Sequence, residues 1–202
     1  MAITNGYCTL SDVKAALRLT DTVDDSLLEI SVEAASREID GICERFFYTS
    51  STTRVFNPED SFVTQTDDIV SVTTLKTSSG GSSFDTTWTV TDFQLEPLNG
   101  TVSGLTSPAT RVRAVGQYLF PVWSVTGTYY NKASVQIVGV FGWAVVPPAI
   151  KQATILLAMR QFKRFDSPLG VAGFGDIGVM RVGRVDPDVE ALIAPFKKMA
   201  IA

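Results

Sequence analysis

The sequence predicts an α+β fold: a small bundle of four helices with an antiparallel β-rich module inserted between the second and third. Three observations carry that prediction. Apolar residues at Leu28, Val32, Ala35, Ile39, Ile42 and Phe46 recur at spacings of four, three, four, three and four, the period of a helix buried along one face. From Thr49 to Gly142 the composition turns to Thr, Ser, Val and aromatic residues in polar alternation, punctuated by Gly and Asn-Gly, which is the grammar of short strands. At Pro147-Pro148 the chain returns to helix, because proline stops a strand and is tolerated in a first helical turn.

The elements follow in order. Thr9-Leu10-Ser11-Asp12 has the form of a cap with an early carboxylate, so a short helix is expected over about Leu10 to Leu19 that buries Val13, Ala16 and Leu17. The turn TDTVDD precedes the long second helix, with Asp24 or Asp25 as its cap. Glu29, Glu33, Arg37, Glu38, Asp40 and Glu44 fill the other faces of that helix, and burial of its stripe against the protein's own helices is preferred over a seam for a partner helix. In the middle zone TTRVF, FVTQT, IVSVTTLKT, TTWTVTDFQLEP, TRVRAV and ASVQIVGVFGW read as strands, with SSGGSS at Ser78 to Ser83 as a hairpin tip and Asn99-Gly100 as another turn. The third helix, AIKQATILLAMRQFKRF, buries Ile150, Ala153, Leu156 or Leu157, and Phe162, and Arg160, Lys163 and Arg164 crowd its last turns, where cations suit the helix dipole. Asp186-Pro187 pairs a cap with a first-turn proline for a final helix carrying Val189, Leu192, Ile193 and Phe196. The expected organisation is a helical core from 1–48 and 147–202, a β-rich insertion at 49–146 and a Gly-rich connection at 166–185.

Composition narrows the function classes. The 202 residues contain no histidine and two cysteines, Cys8 and Cys43. Ser-His-Asp and Cys-His nucleophile systems are thereby absent, as are most zinc sites. The paired carboxylates Asp24-Asp25, Asp67-Asp68 and Asp186/Asp188 sit at helix caps or, for the middle pair, at an expected turn before a strand. Adjacent acids do not by themselves face each other across the roughly 5–9 Å that a glycosidase needs. No catalytic residue, metal site or cofactor is expected, and the chain is read as no enzyme. No run approaches the roughly 18 apolar residues of a membrane span, and the opening residues have no basic and apolar leader pattern, so no membrane contact or export is expected and both thiols are read as free.

Charge is polarised. Residues 1–50 hold four Lys/Arg against nine Asp/Glu, residues 51–150 five against seven, and residues 151–202 eight against five. An acidic front and a basic back suit contacts with neighbours or with copies of the same chain. The net of −4 argues against a nucleic-acid reader but suits a surface that DNA slides past.

GFGDIG at Gly173 to Gly178 has the G-x-G-x-x-G spacing of a dinucleotide loop, yet a helix precedes it and the β-branched VMRV follows, the reverse of the strand–glycine–helix order that aims helix N–H groups at a pyrophosphate. The glycines instead flex a long connection whose apolar members Leu169, Val171, Phe174, Ile177, Val179 and Met180 are too many for a solvated linker. That pattern is read as an assembly loop that packs on a neighbouring subunit.

TLSDVKAALRL followed by DDSLLEISVEAASREIDGICERFF resembles the opening of the head-tail connector (adaptor) proteins of long-tailed bacteriophages, and VPPAIKQATILLAMRQFKR followed by VGRVDPDVEALIAPFKK resembles their closing helices. The β-rich middle is longer than in the compact members. The resemblance implies a structural virion protein without enzymatic activity, in a ring, typically twelvefold, below the portal. Its partners would be the portal protein, neighbouring copies, a downstream neck or tail protein, and genomic DNA passing through the lumen. It would be assembled in the host cytoplasm and reside at the head-tail interface of the virion. Leu169, Val171, Phe174, Ile177, Met180, Arg181, Arg184, Lys197 and Lys198 are the candidate subunit or portal contacts. The alternative is a carbohydrate- or host-surface-binding module with Trp88, Phe93 and Trp123 as an aromatic platform.

Overall fold

A computed structural model describes residues 2–78, 83–122, 133–165 and 186–198. Among these residues it contains four α-helices and an antiparallel sheet, the predicted α+β fold. The chain forms two compact units: 1–48 with 145–202, and 49–144.

The first unit is helical: α1 (Leu10–Leu17), α2 (Asp25–Cys43), α3 (Pro148–Phe165) and α4 (Pro187–Ile193), the last continued by a 3-10 turn, Ala194–Phe196. Thr9 and Asp12 form a reciprocal capping box at α1, which satisfies two orphan N–H groups. This helix ends earlier than the sequence implies. Arg18 adopts the left-handed conformation and its N–H turns back to Ala15 and Lys14, so Ala16 stays exposed and Leu17 only half-buried. On α2 the expected stripe holds through Leu28, Val32, Ala35 and Ile39. Cys43 continues that face, four residues after Ile39, with Ile42 half-buried beside it; a left-handed Glu44 then resets the phase, so Phe47 turns into the core while Phe46 remains half-buried. On α3, Ile150, Ala153, Leu157 and Phe162 are buried; at α4, Asp186 caps by accepting from the Asp188 N–H at 3.0 Å.

Buried hydroxyls on these helices are satisfied locally. Ser36 Oγ donates to the Val32 carbonyl (2.7 Å) and accepts from the Tyr7 N–H (3.1 Å), and Thr154 Oγ1 donates to Ile150 (2.8 Å). Tyr7 gathers the N-terminal segment onto α2: its hydroxyl donates to Asp40 and accepts from the Phe47 N–H.

The second unit is a sheet in the order β1-β8-β2-β7-β4, with β3 also paired to β2, all antiparallel. The strands are β1 (Thr49–Phe56), β2 (Val63–Thr77), β3 (Thr86–Trp88), β4 (Phe93–Glu96), β7 (Ala109–Ala114) and β8 (Val135–Gly142); β5 (Thr101–Val102) and β6 (Leu105–Thr106) form a separate hairpin. Three sequence expectations change here. FVTQT and IVSVTTLKT are one strand, β2, running through Asp67-Asp68, so that pair lies inside a strand rather than at a turn. The in-out alternation of the strand gives the two acids different environments, Asp68 facing in with Thr64 and Thr66, and the register against β7 shifts between Gln65 and Ile69. TTWTVTDFQLEP divides into β3 and β4, because Asp92 accepts from the Thr89 N–H (2.6 Å) and hydroxyl (2.7 Å) and closes a turn. Beyond the Asn99-Gly100 turn, a second tight turn passes through Ser103 and Gly104, both at positive φ, as a two-residue hairpin requires. The SSGGSS tip joins β2 to β3, and its residues 79–82 lie outside the described residues.

Candidate assembly interface

In the helical unit, α2, α3 and the start of α4 border a shallow cleft lined by Glu38, Ile42, Leu157, Arg160, Arg164 and Asp186. Gln161 Nε2 donates to Glu38 Oε2 across it at 2.9 Å. Lys163, Arg164 and Phe165 are exposed at the end of α3, so the point where the Gly-rich connection departs is cationic and apolar. Arg164 and Asp186, at the two margins of that connection, both line the cleft.

Of the sequence-predicted contact residues, Leu169, Val171, Phe174, Ile177, Met180, Arg181 and Arg184 lie outside the described residues, as does GFGDIG. Lys197 and Lys198 follow the 3-10 turn. Lys197 Nζ reaches Glu190 Oε1 at 3.3 Å, both side chains substantially solvated. The Lys198 backbone N–H donates to the Cys43 carbonyl at 3.0 Å, which satisfies one of the open carbonyls ending α2 and fixes the C-terminal segment to that helix.

The titratable groups here serve packing. Burial pushes the Cys8 thiol up to about 12 and the Cys43 thiol up to about 11, so neither is a thiolate nucleophile near neutral pH. Burial and the bond to Asp40 hold the Tyr7 phenol protonated well beyond its ordinary range. Burial also raises the Asp40 carboxyl, opposed by Tyr7 and Arg37. Among the described residues there is no group of three or more His, Cys, Asp or Glu able to hold a metal, and no helix long and apolar enough to cross a membrane.

In the β unit, Asp67 pairs with Arg54, and the guanidinium of Arg54 stands 4.8 Å from the Phe141 ring centroid. Asp68 is buried and accepts from Trp143 Nε1 at 3.0 Å, a contact across 75 positions that no local pattern announces. Trp88 is buried, stacked on Phe120 at 4.7 Å and 11°, with its Nε1 donating to Thr77; it belongs to the core and offers no face to a sugar. Phe93 is half-buried, and Trp123 lies outside the described residues.

Glu96 is clasped by Arg113 (2.6 Å) and Arg111 (2.8 Å). The bond from Arg113 leads in holding its carboxyl below the usual range, against a smaller cost of desolvation and with help from Arg111. A carboxyl lowered only in the folded state contributes stability that is full above its unfolded value of about 4.3 and is lost as pH falls through the folded one. Glu96→Gln is therefore expected to flatten the acid limb of a Tm-against-pH profile below about pH 4.5, with a lower plateau at neutral pH; an unchanged acid limb would remove Glu96 from that role.

Residues 7–88, from Tyr7 through Trp88, match the model of the phage gp6-like head-tail connector protein family. The match makes this part of the chain similar to the phage head-tail connectors. It spans α1, α2 and β1 to β3, and so includes the opening helices whose sequence resembles the adaptors. No curated protein matches the chain.

Solved structures share this chain's fold over its whole length. A chain from the neck of an empty gene transfer agent particle, computed with C6 symmetry, is 18% identical with a TM-score of 0.59, covering 100% of this chain and 95% of that one. A chain from the neck of the native particle, computed with C12 symmetry, is 17% identical with a TM-score of 0.55, covering 100% and 94%. A chain from the virion of the native particle is 19% identical with a TM-score of 0.54, covering 100% and 95%. The long β module is therefore part of a shared architecture and not an insertion peculiar to this chain.

Proposed function

We propose that this chain is a head-tail connector, a structural virion protein that forms a ring, dodecameric in its complete form, between the portal and the neck or tail. The match of residues 7–88 to the head-tail connector family carries the reading. The ring is supported by the fold shared with chains from neck reconstructions computed with C6 and C12 symmetry, which a twelvefold ring satisfies. Its partners are then the portal, the adjacent copies and the next neck or tail protein, and its chemistry is positional, with no reaction catalysed.

DNA crosses the lumen of such a ring without sequence-specific binding. The excess of nine acids over four bases in residues 1–50 supports an acidic lumen, since like charge disfavours adhesion to phosphate. Leu169, Val171, Phe174, Ile177 and Met180 are proposed to pack on a neighbouring subunit, with Arg181, Arg184, Lys197 and Lys198 addressing the portal or an adjacent copy.

The test is imaging of intact particle necks and of the full-length protein incubated with purified portal. A ring of this chain's density beneath the portal is expected, even if the isolated protein stays monomeric until the portal templates it. A chain that remains monomeric with portal present, or a lumen lined by basic side chains, would overturn the ring or the lumen assignment respectively. Deleting Gly173 to Gly178 is expected to abolish ring formation while leaving circular dichroism and Tm of the monomer close to wild type; loss of monomer folding would make the connection an internal element instead.

A further inference from the structure

The geometry points to a head-to-tail contact between β units of adjacent copies, in which an apolar projection on one enters an apolar recess on the next. The inference rests on the ring reading above and names the surfaces that would close it.

The projection is built by three loops at one end of the sheet. Phe62, Val90, Val115, Tyr118 and Leu119 are between 37% and 80% exposed there. Backbone bonds fix these loops to one another: the Ala114 N–H donates to Phe62 (2.8 Å), Phe120 to Ser61 (2.8 Å) and Val115 to Asp92 (2.8 Å). Tyr118 also leans on the buried Trp88, ring centroids 5.2 Å apart. Those exposures amount to on the order of 500 Å² of side-chain surface, the size at which a monomer's apolar patch is commonly functional. A standard interface takes about 800 Å² per partner, so this patch supplies more than half of one side.

The recess lies at the opposite end of the same strands, about 17 Å away along β7 at strand rise. Its volume is about 280 Å³, and Ile69, Val70, Leu95, Pro97, Thr106 and Pro108 contribute to its lining. Register places it there: Ile69 pairs with Ala109 and Glu96 with Arg111, whereas Val63 pairs with Arg113 and Phe93 with Ala114 at the projecting end.

Charge does not oppose the pairing. The projecting loops 57–62, 89–92 and 115–122 hold Glu59, Asp60 and Asp92 and no Lys or Arg. The recess segment from Pro97 to Ala109 holds no charged residue, Glu96 beside it is balanced by Arg111, and the projection's Asp60 is faced by Arg113 of its own chain. A projection and a recess at different places on one molecule make a heterologous contact, the kind that closes rings and that a two-fold dimer does not use. The occupant is a second copy of this chain.

Thr106→Cys and Leu119→Cys place a thiol at each surface, both at exposed positions, in a chain whose own two cysteines are buried. Full-length protein carrying both is oxidised in portal-bound assemblies and run without reductant. A ladder of covalent multimers is expected from the double variant and none beyond background from either single variant; adding Phe62→Asp should reduce the ladder about tenfold. Rings visible by negative stain without a ladder would overturn this contact while leaving the ring intact. Dimers from the single variants would likewise overturn it, by showing a two-fold contact. Absence of both rings and ladder would overturn the contact together with the ring reading on which it rests.

Discussion

Phe47→Ala is expected to destabilise the helical unit by about 3–5 kcal/mol, among the largest effects available to a single side chain. Phe47 is fully buried where the chain leaves α2, edge-on to Tyr7 at 5.6 Å and to Phe196 at 5.9 Å. It thus joins the N-terminal segment, the end of α2 and the C-terminal turn in one aromatic stack, each edge-to-face pair adding about 0.5–1.5 kcal/mol beyond area burial. Tyr7 and Phe196 are held elsewhere, Tyr7 by Asp40 and the Phe47 N–H, and Phe196 by the turn after α4. The site therefore collapses poorly, and a cavity persists. Urea unfolding followed by circular dichroism should show the loss, with Phe47→Leu losing about half as much. A shift below about 1 kcal/mol for the alanine variant would mean that the three segments are held together by other contacts.

The same residue shows where sequence reading reaches and where it stops. The apolar stripe was legible because helical spacing is local: Leu28, Val32, Ala35 and Ile39 follow from a period of 3.6, and all four are buried. The capping box at Thr9 and Asp12, the proline opening α3 and the Asp186-Pro187 start of α4 were legible for the same reason. Extrapolating the stripe to Phe46 failed because a single left-handed residue, Glu44, resets the phase, and nothing in a glutamate announces that conformation. In the β unit the strand class was legible and the pairings were not. Asp67 and Asp68 look like a turn because acids are rare in strands, but a long-range salt bridge and a tryptophan N–H hold them inside β2. Of the candidate assembly residues, only Lys197 and Lys198 fall among those described, so the loop keeps the standing its sequence gives it. The exposed Phe62, Val90, Tyr118 and Leu119 are not legible in the sequence, since scattered apolar residues in loops become a patch only once three backbone bonds bring the loops together.

Gly139→Ala is expected to have the largest effect in the β unit, though it adds one methyl group. Gly139 lies in β8, between β1 and β2, on the same buried face as Ile137 and Phe141. The register of β2 against β8 shifts on both sides of this point, between Ile69 and Ser71 and between Val72 and Thr74. Those irregularities carry the β2 backbone over the glycine: a Cβ there would stand 2.3 Å from the Ser71 carbonyl oxygen and 3.2 Å from the Val72 Cα. Both are main-chain atoms, so no rotamer change relieves the clash, and either the bulge or the central ladder must move. The cost should reach the upper end of the roughly 1–3 kcal/mol typical of overpacking, or exceed it, and lower the Tm by about 2–4 °C for each kcal/mol. Gly41→Ala is the matched control, because its Cβ meets nothing within 4 Å on the exposed side of α2 and should stabilise by about 0.5–1 kcal/mol. If Gly139→Ala melts at the wild-type temperature while Gly41→Ala gains, the close approach of β2 to β8 is wrong. If it melts early and also fails to enter rings, the bulge that shapes β2 is needed for the projecting and recessed ends to stand in the positions assembly requires.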